Sequence, residues 1–181
     1  MLFRRHIPLS SAQLSRVAAA TVGMLLASSI ALPKMARWLN QPISLPGRIQ
    51  FLNRLLDADF LTQEWVYQPL LRAALHGFHN PIWHVLIDRT TLAGYEVELL
   101  VVGLAFRGHA LPLAWQVIDF GCTSAEEQIA LWQRVVALIP RSTAVVAHGD
   151  SEFGSVAVMR YLRQQGWHFI LGQAANTRYR M

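Results

Sequence analysis

The spacing of apolar residues changes character near residue 80. Before that point apolar positions recur every three or four residues. Leu14, Val17, Ala18, Val22, Leu25 and Leu26 share this spacing, the mark of an amphipathic helix. It predicts helix over residues 10–40, with a break at Pro33 and a short second helix over Lys34–Leu39. Ser44-Leu45-Pro46 places a capping residue before a proline, the usual chemistry of a helix start. Ile49, Leu52, Leu55 and Leu56 then form one apolar face. A third helical segment covers Thr62–Leu75, divided or kinked by Pro69. Residues His76–Pro81 read as a loop.

From Ile82 onward short apolar runs replace the helical period. Val85–Ile87 reads as a short buried strand, and Gly94 precedes a long Val- and Leu-rich strand over Tyr95–Phe106. Arg107-Gly108-His109 is a turn signal. Ala110–Ile118 is a third strand, and Pro112 assigns it to a sheet edge or a bulge. Thr123 or Ser124 can cap a helix that runs to Ile139, with Glu126 and Glu127 in its dipole-favoured first turn. Thr143–Ala147 is a fourth strand, Phe153–Gln165 a second helix ended by Gly166, and Trp167–Leu171 a fifth strand. The pattern is three strands in a meander, then helix, strand, helix, strand. An all-helical region precedes it.

Composition narrows the function classes. At 181 residues, 53% hydrophobic and 15% charged, the chain can bury a substantial core and is not disordered. Its net charge is +5, and Lys34 is its single lysine, so arginine carries the excess. Arginine forks suit phosphate oxygens and a basic balance suggests a nucleic-acid partner. A GC-rich coding sequence explains the same bias without function. The lone Cys122 excludes an intramolecular disulfide and leaves no cysteine pair for a zinc finger. A reducing cytoplasm follows. Arg4 and Arg5 before the apolar stretch Val17–Leu32 resemble a signal peptide. Gln13, Arg16, Thr21, Gly23, Ser28 and Ser29 interrupt that pattern. A packed helix is the main reading, and a signal or anchor in residues 1–33 is the alternative.

Two aspartates end apolar runs: Asp88 in Val85-Leu86-Ile87-Asp88-Arg89-Thr90, and Asp150 in Val145-Val146-Ala147-His148-Gly149-Asp150-Ser151-Glu152-Phe153. An ionised carboxylate beside buried strand surface needs a partner, and magnesium is one that favours such carboxylates. Without further information each has a bland reading. Asp88 could bond the amides of Thr90 and Thr91 as a turn residue, and Asp150 could cap the following helix.

The flanking residues resemble DDE transposases of the IS4 type. Asp88-Arg89-Thr90 is similar to the first acidic motif of that family, and Asp150-Ser151-Glu152-Phe153 to the second. Ser151 departs from the usual arginine. Leu111-Pro112-Leu113-Ala114-Trp115 and Ser124-Ala125-Glu126-Glu127-Gln128 resemble the intervening strand and helix start. The resemblance is clear over residues 82–172 and weak over 10–80.

The resemblance implies a ribonuclease H-like core with a mixed sheet, in which the first and fourth strands are neighbours and Asp88 and Asp150 come together. It implies metal-dependent cleavage and strand transfer of DNA, with two Mg2+ (or Mn2+) ions about 4 Å apart at the scissile phosphate. Asp88 would bridge both ions and Asp150 would bind one. DNA, as transposon ends and target, is the implied partner, with a homodimer admitted and no small-molecule cofactor or membrane. Residues 1–80 are then a helical region for DNA ends, with Arg37, Arg48 and Arg54 as candidate phosphate contacts, joined by Arg89. Residues 81–181 are the catalytic core. The family's third carboxylate lies on a later helix, and no Asp or Glu follows Glu152 here. The expectation is therefore a C-terminally truncated, inactive fragment with one sheet face poorly covered. Glu152 corresponds to a family position that binds no metal, and Glu126 and Glu127 read as a solvated first turn. The alternative is a non-catalytic DNA-binding remnant or inhibitor of transposition. Of the histidines, His76 and His79 lack further partners for zinc.

Overall fold

The computed structural model describes residues 6–92, 97–121 and 123–173. Arg4, Arg5, Cys122 and the expected strand start at Gly94-Tyr95 lie outside the described residues. The chain forms two compact units, residues 1–77 and 78–181.

The first unit is helical, as its periodicity requires. Helix α1 spans Ser11–Ala27 and is opened by a capping box in which Ser10 and Gln13 each serve the other's backbone. Pro33 opens the short α2, Leu32–Arg37, rather than merely breaking what precedes it. Its fixed φ and missing N–H suit a first helical turn. Helix α3, Leu45–Leu56, starts at the Ser44 cap with Pro46 in its first turn. Gln63–Tyr67 is a π-helical turn that passes into α4, Gln68–Leu75, with Pro69 at the junction. Met35, Ala36, Leu39 and Leu52 make the core, and Ala19, Ala20 and Ile49 pack on it.

The second unit is a five-stranded sheet in the order β3-β2-β1-β4-β5. Strand β1 is Ile82–Leu92, β2 Val97–Phe106, β3 His109–Ile118, β4 Ala144–Gly149 and β5 His168–Leu171. The first three form an antiparallel meander, and β4 and β5 run parallel to β1. Helices α5, Ala125–Val136, and α6, Val156–Gln164, make the crossovers. This mixed α/β order, with β1 beside β4, is that of the ribonuclease H-like arrangement. Two-residue loop geometry explains the β2–β3 hairpin: Arg107 and Gly108 both adopt positive φ, 49° and 79°, matching the strand twist. Pro112 sits on an edge strand and also at a bulge opposite Val102 and Gly103.

Strand alternation sorts β1 into two faces. Trp83, Val85 and Ile87 are buried with Leu100, Val102 and Leu104 of β2. Leu131, Trp132 and Val135 of α5 and Val158 and Leu162 of α6 are buried as well. The opposite face of β1 carries Ile82, His84, Leu86 and Asp88, all exposed. Val117 and Ile170 extend that face, 61% and 65% exposed.

Strand β1 is much longer than the expected Val85–Ile87. Its ladder with β2 continues through Leu92, whereas its described pairs with β4 stop at Leu86↔His148. The expected helix from Phe153 is also different. Ser151–Phe153 forms a 3₁₀ turn, and α6 begins after its own cap, Ser155. Gly149 makes this path feasible. A Cβ there would lie 2.9 Å from Ile87 Cγ2 and 3.0 Å from Phe153 Cβ. Gly149→Ala is therefore expected to lower unfolding free energy by about 1–3 kcal/mol through overpacking, read from urea denaturation midpoints.

Candidate metal and nucleic-acid site

Asp88 and Asp150 follow the described β1–β4 ladder by the same step. Leu86↔His148 is its last described pair, and each aspartate is two residues further along its own chain. Two residues restore the same face of an extended chain, so both carboxylates belong to the open face that carries Leu86 and His148. Asp88 is thus inside a strand but at the end of its parallel pairing, and Asp150 is the first residue beyond β4. Both are exposed.

Each aspartate has one oxygen engaged. Asp88 Oδ1 accepts from the amide of Arg89 at 2.8 Å. Asp150 Oδ1 accepts from the amide of Glu152 at 2.9 Å and caps the 3₁₀ turn. The capping role expected for Asp150 is present, on a shorter turn than expected. The turn role expected for Asp88, with Thr90 and Thr91, is replaced, because both residues continue the ladder to Leu99 and Glu98. His84 Nδ1 and His148 Nε2 lie 2.9 Å apart on the same face. Burial, and then the neighbouring His84, push the His148 pKa down.

Arg89 turns the other way. Its Nε donates to Glu152 Oε2 at 3.0 Å, and its Nη1 to Glu98 Oε2 at 2.6 Å and to the carbonyl of Gly121. Glu98 also accepts from Thr91 Oγ1 and from the Gly121 amide. Glu152 Oε1 accepts from the amide and hydroxyl of Thr123, at 3.2 and 2.8 Å. Gln128 of α5 donates to Thr123 Oγ1 and to the carbonyl of Glu152. A candidate DNA contact is therefore committed to an internal ion-pair network. Glu152 serves that network. Glu98 was not among the sequence candidates, yet it left a signal: a charge inside an apolar strand, which needs a buried partner. Glu127 lies in the first turn of α5, as expected, and there also closes a capping box with Ser124.

The remaining arginines belong to the helical unit. Arg37 and Arg54 are exposed in the last turns of α2 and α3. Arg48 is half-buried, and its Nε donates to the Ile43 carbonyl. A cavity of about 910 Å³, lined by Val136, Pro140, Arg141, Gln165 and Trp167 among others, opens beside the start of β4. It lies away from both aspartates and holds no carboxylate. Among the described residues no three His, Cys, Asp or Glu side chains gather as a metal site. No helix there is long and apolar enough to cross a membrane.

No protein-family profile matches the chain, and no curated protein matches it closely. Solved structures similar to it include the catalytic domain of Mos1 mariner transposase, at 15% identity and a TM-score of 0.37, covering 60% of this chain and 58% of that one. The Mos1 strand transfer complex aligns at 13% identity and a TM-score of 0.33, over 91% of this chain and 59% of that one. The Mos1 paired-end complex with the left transposon end aligns at 13% identity and 0.34, over 87% and 57%. The chain thus spans under three fifths of these chains.

The network makes stability depend on acid. The Arg89 guanidinium, with help from the Gly121 amide and Thr91, holds the Glu98 carboxyl below its ordinary value of about 4.5. A carboxyl depressed in the folded state contributes stability above the unfolded pKa and loses it as pH falls through the folded one. Tm is therefore expected to fall from about pH 4.5 downward, and that portion of the fall is expected to shrink in Glu98→Gln, measured by thermal melts across pH 2.5–7.

Proposed function

We propose that residues 81–181 form a DNA-processing core of the DDE type, in which Asp88 and Asp150 bind a divalent cation, Mg2+ or Mn2+, against a DNA backbone. One observation carries the reading: two carboxylates two residues beyond the same ladder pair, on one open face, each with Oδ1 held by a backbone amide. The donor chemistry fits the ion. Exposed carboxylate oxygens beside water suit a hard cation that keeps several waters. Held by Asp88 and Asp150, such an ion would supply neutralisation of phosphate charge and activation of a hydroxyl or water. The protein's own part is to hold two oxygens toward the solvent on a rigid sheet and to keep the neighbouring charges out of the way.

The other carboxylates close in sequence are occupied. Glu98 and Glu152 both face Arg89, so within the described residues the site has two ligands. Asp88 and Asp150 bind the cation and engage DNA, without strand transfer by them alone. The IS4-type motif resemblance supports the DNA substrate. Exposed Arg37 and Arg54 supply phosphate contacts in the helical unit, and the reducing cytoplasm is the compartment in which this occurs.

Mn2+ titration followed by electron paramagnetic resonance tests the site. Asp88→Asn and Asp150→Asn are each expected to lose most of the binding seen in the unaltered chain. Undiminished binding in the double variant would sink the assignment. For DNA, the logarithm of affinity for a duplex should fall linearly with the logarithm of salt concentration. Arg37→Ala and Arg54→Ala should each reduce that slope by about 1, and an unchanged slope removes them from the interface.

A further inference from the structure

The described β1–β4 ladder stops two residues before the aspartates, so what holds the two strand segments at one separation there is a question of side chains. The chain supplies a bridge immediately next to them. Arg89 follows Asp88 directly, Glu152 stands two residues after Asp150, and their side chains meet at 3.0 Å on the opposite face. The same two residues donate the amides that hold the aspartates: Arg89 N to Asp88 Oδ1, and Glu152 N to Asp150 Oδ1. The contacts form an open chain from Asp88 to Arg89, across to Glu152, and on to Asp150. The ion pair thus joins the two residues whose backbone amides hold the carboxylates.

The geometry points to Arg89 and Glu152 as a positioning pair that sets the separation and orientation of Asp88 and Asp150 and thereby controls divalent-cation affinity. This inference rests on the proposed metal reading. The bridge is itself anchored. Arg89 Nη1 is held by Glu98 and the Gly121 carbonyl, and Glu152 Oε1 by Thr123. Different nitrogens of Arg89 serve the two glutamates, Nε for Glu152 and Nη1 for Glu98. Removing the Glu98 charge therefore loosens the network without cutting the bridge, since Gly121 still accepts from Nη1. Glu98→Gln is the control for a merely structural role.

Outer partners of metal ligands typically alter affinity by about 10- to 100-fold. Glu152→Ala and Arg89→Met are expected to weaken Mn2+ binding at least about tenfold. Glu152→Gln keeps an oxygen that accepts from Arg89 and is expected to restore most of the affinity. Glu98→Gln is expected to lower Tm while leaving affinity within about threefold of the unaltered chain, outside the range of the outer-partner effect. Metal-free amide hydrogen exchange gives a second readout. The Arg89 and Glu152 amides should lose protection in Glu152→Ala and keep it in Glu98→Gln. Unchanged affinity in folded Glu152→Ala, or an equal loss in Glu98→Gln, overturns the positioning role. If the unaltered chain binds no Mn2+ through Asp88 and Asp150, the metal reading fails, and the exchange pattern alone decides whether the pair positions the aspartates.

Discussion

One guanidinium shared between two carboxylates organises the sheet-bearing unit. Arg89 of β1 reaches Glu98 of β2 and Glu152 beyond β4, so a single cation joins three segments, two of them neighbouring strands and the third 63 residues away in sequence. Two anions around one cation would be out of balance by themselves. The Gly121 and Thr123 amides and the Thr91 and Thr123 hydroxyls complete the acceptors' needs. Gln128 extends the network into α5. A group of this kind is demanding, because removing Arg89 leaves both glutamates without their cation. It also explains why a basic residue stands beside Asp88 in a strand that otherwise alternates between apolar and open positions.

The alternation of a β-strand separates the two jobs. Asp88 and Arg89 are neighbours in sequence and lie on opposite faces of the sheet. The arginine is consumed inward, so it does not neutralise the aspartate from the same side. Asp88 and Asp150 keep contact with water, which a cation must share when it binds. Among the described residues that face also carries Leu86, Thr90 and the His84–His148 pair. Gly149 contributes by its lack of a side chain: Ile87 and Phe153 close over it, and this lets the chain turn into the 3₁₀ segment that Asp150 caps.

Much of this architecture can be read from short-range rules. Ser10, Ser44 and Ser124 each cap a helix, and side-chain capping is local chemistry that needs no tertiary context. The Arg107-Gly108 turn and the bulge at Pro112 follow from local backbone preferences in the same way. Strand β1 was harder. Asp88, Arg89, Thr90 and Thr91 look like the polar end of a strand, and only pairing with β2 carries them on to Leu92. The start of α6 differs from the expected Phe153 for a related reason. Asp150 and Ser155 are both competent caps, and tertiary contact of Phe153 beneath Gly149 gives each its own short element.

The amino-acid sequence by itself determined the two kinds of unit, the order of strands and helices, and the two aspartates that end apolar runs, because hydrophobic period and capping act within a few residues. The tertiary structure alone decided what Arg89, Glu98 and Glu152 do. Their partners are 9 and 63 residues apart in sequence, and no local rule specifies which charges meet across a sheet. It also decided that the described β1–β4 pairing ends just before the aspartates. That endpoint depends on how two strands diverge in space, which hydrophobic period does not encode.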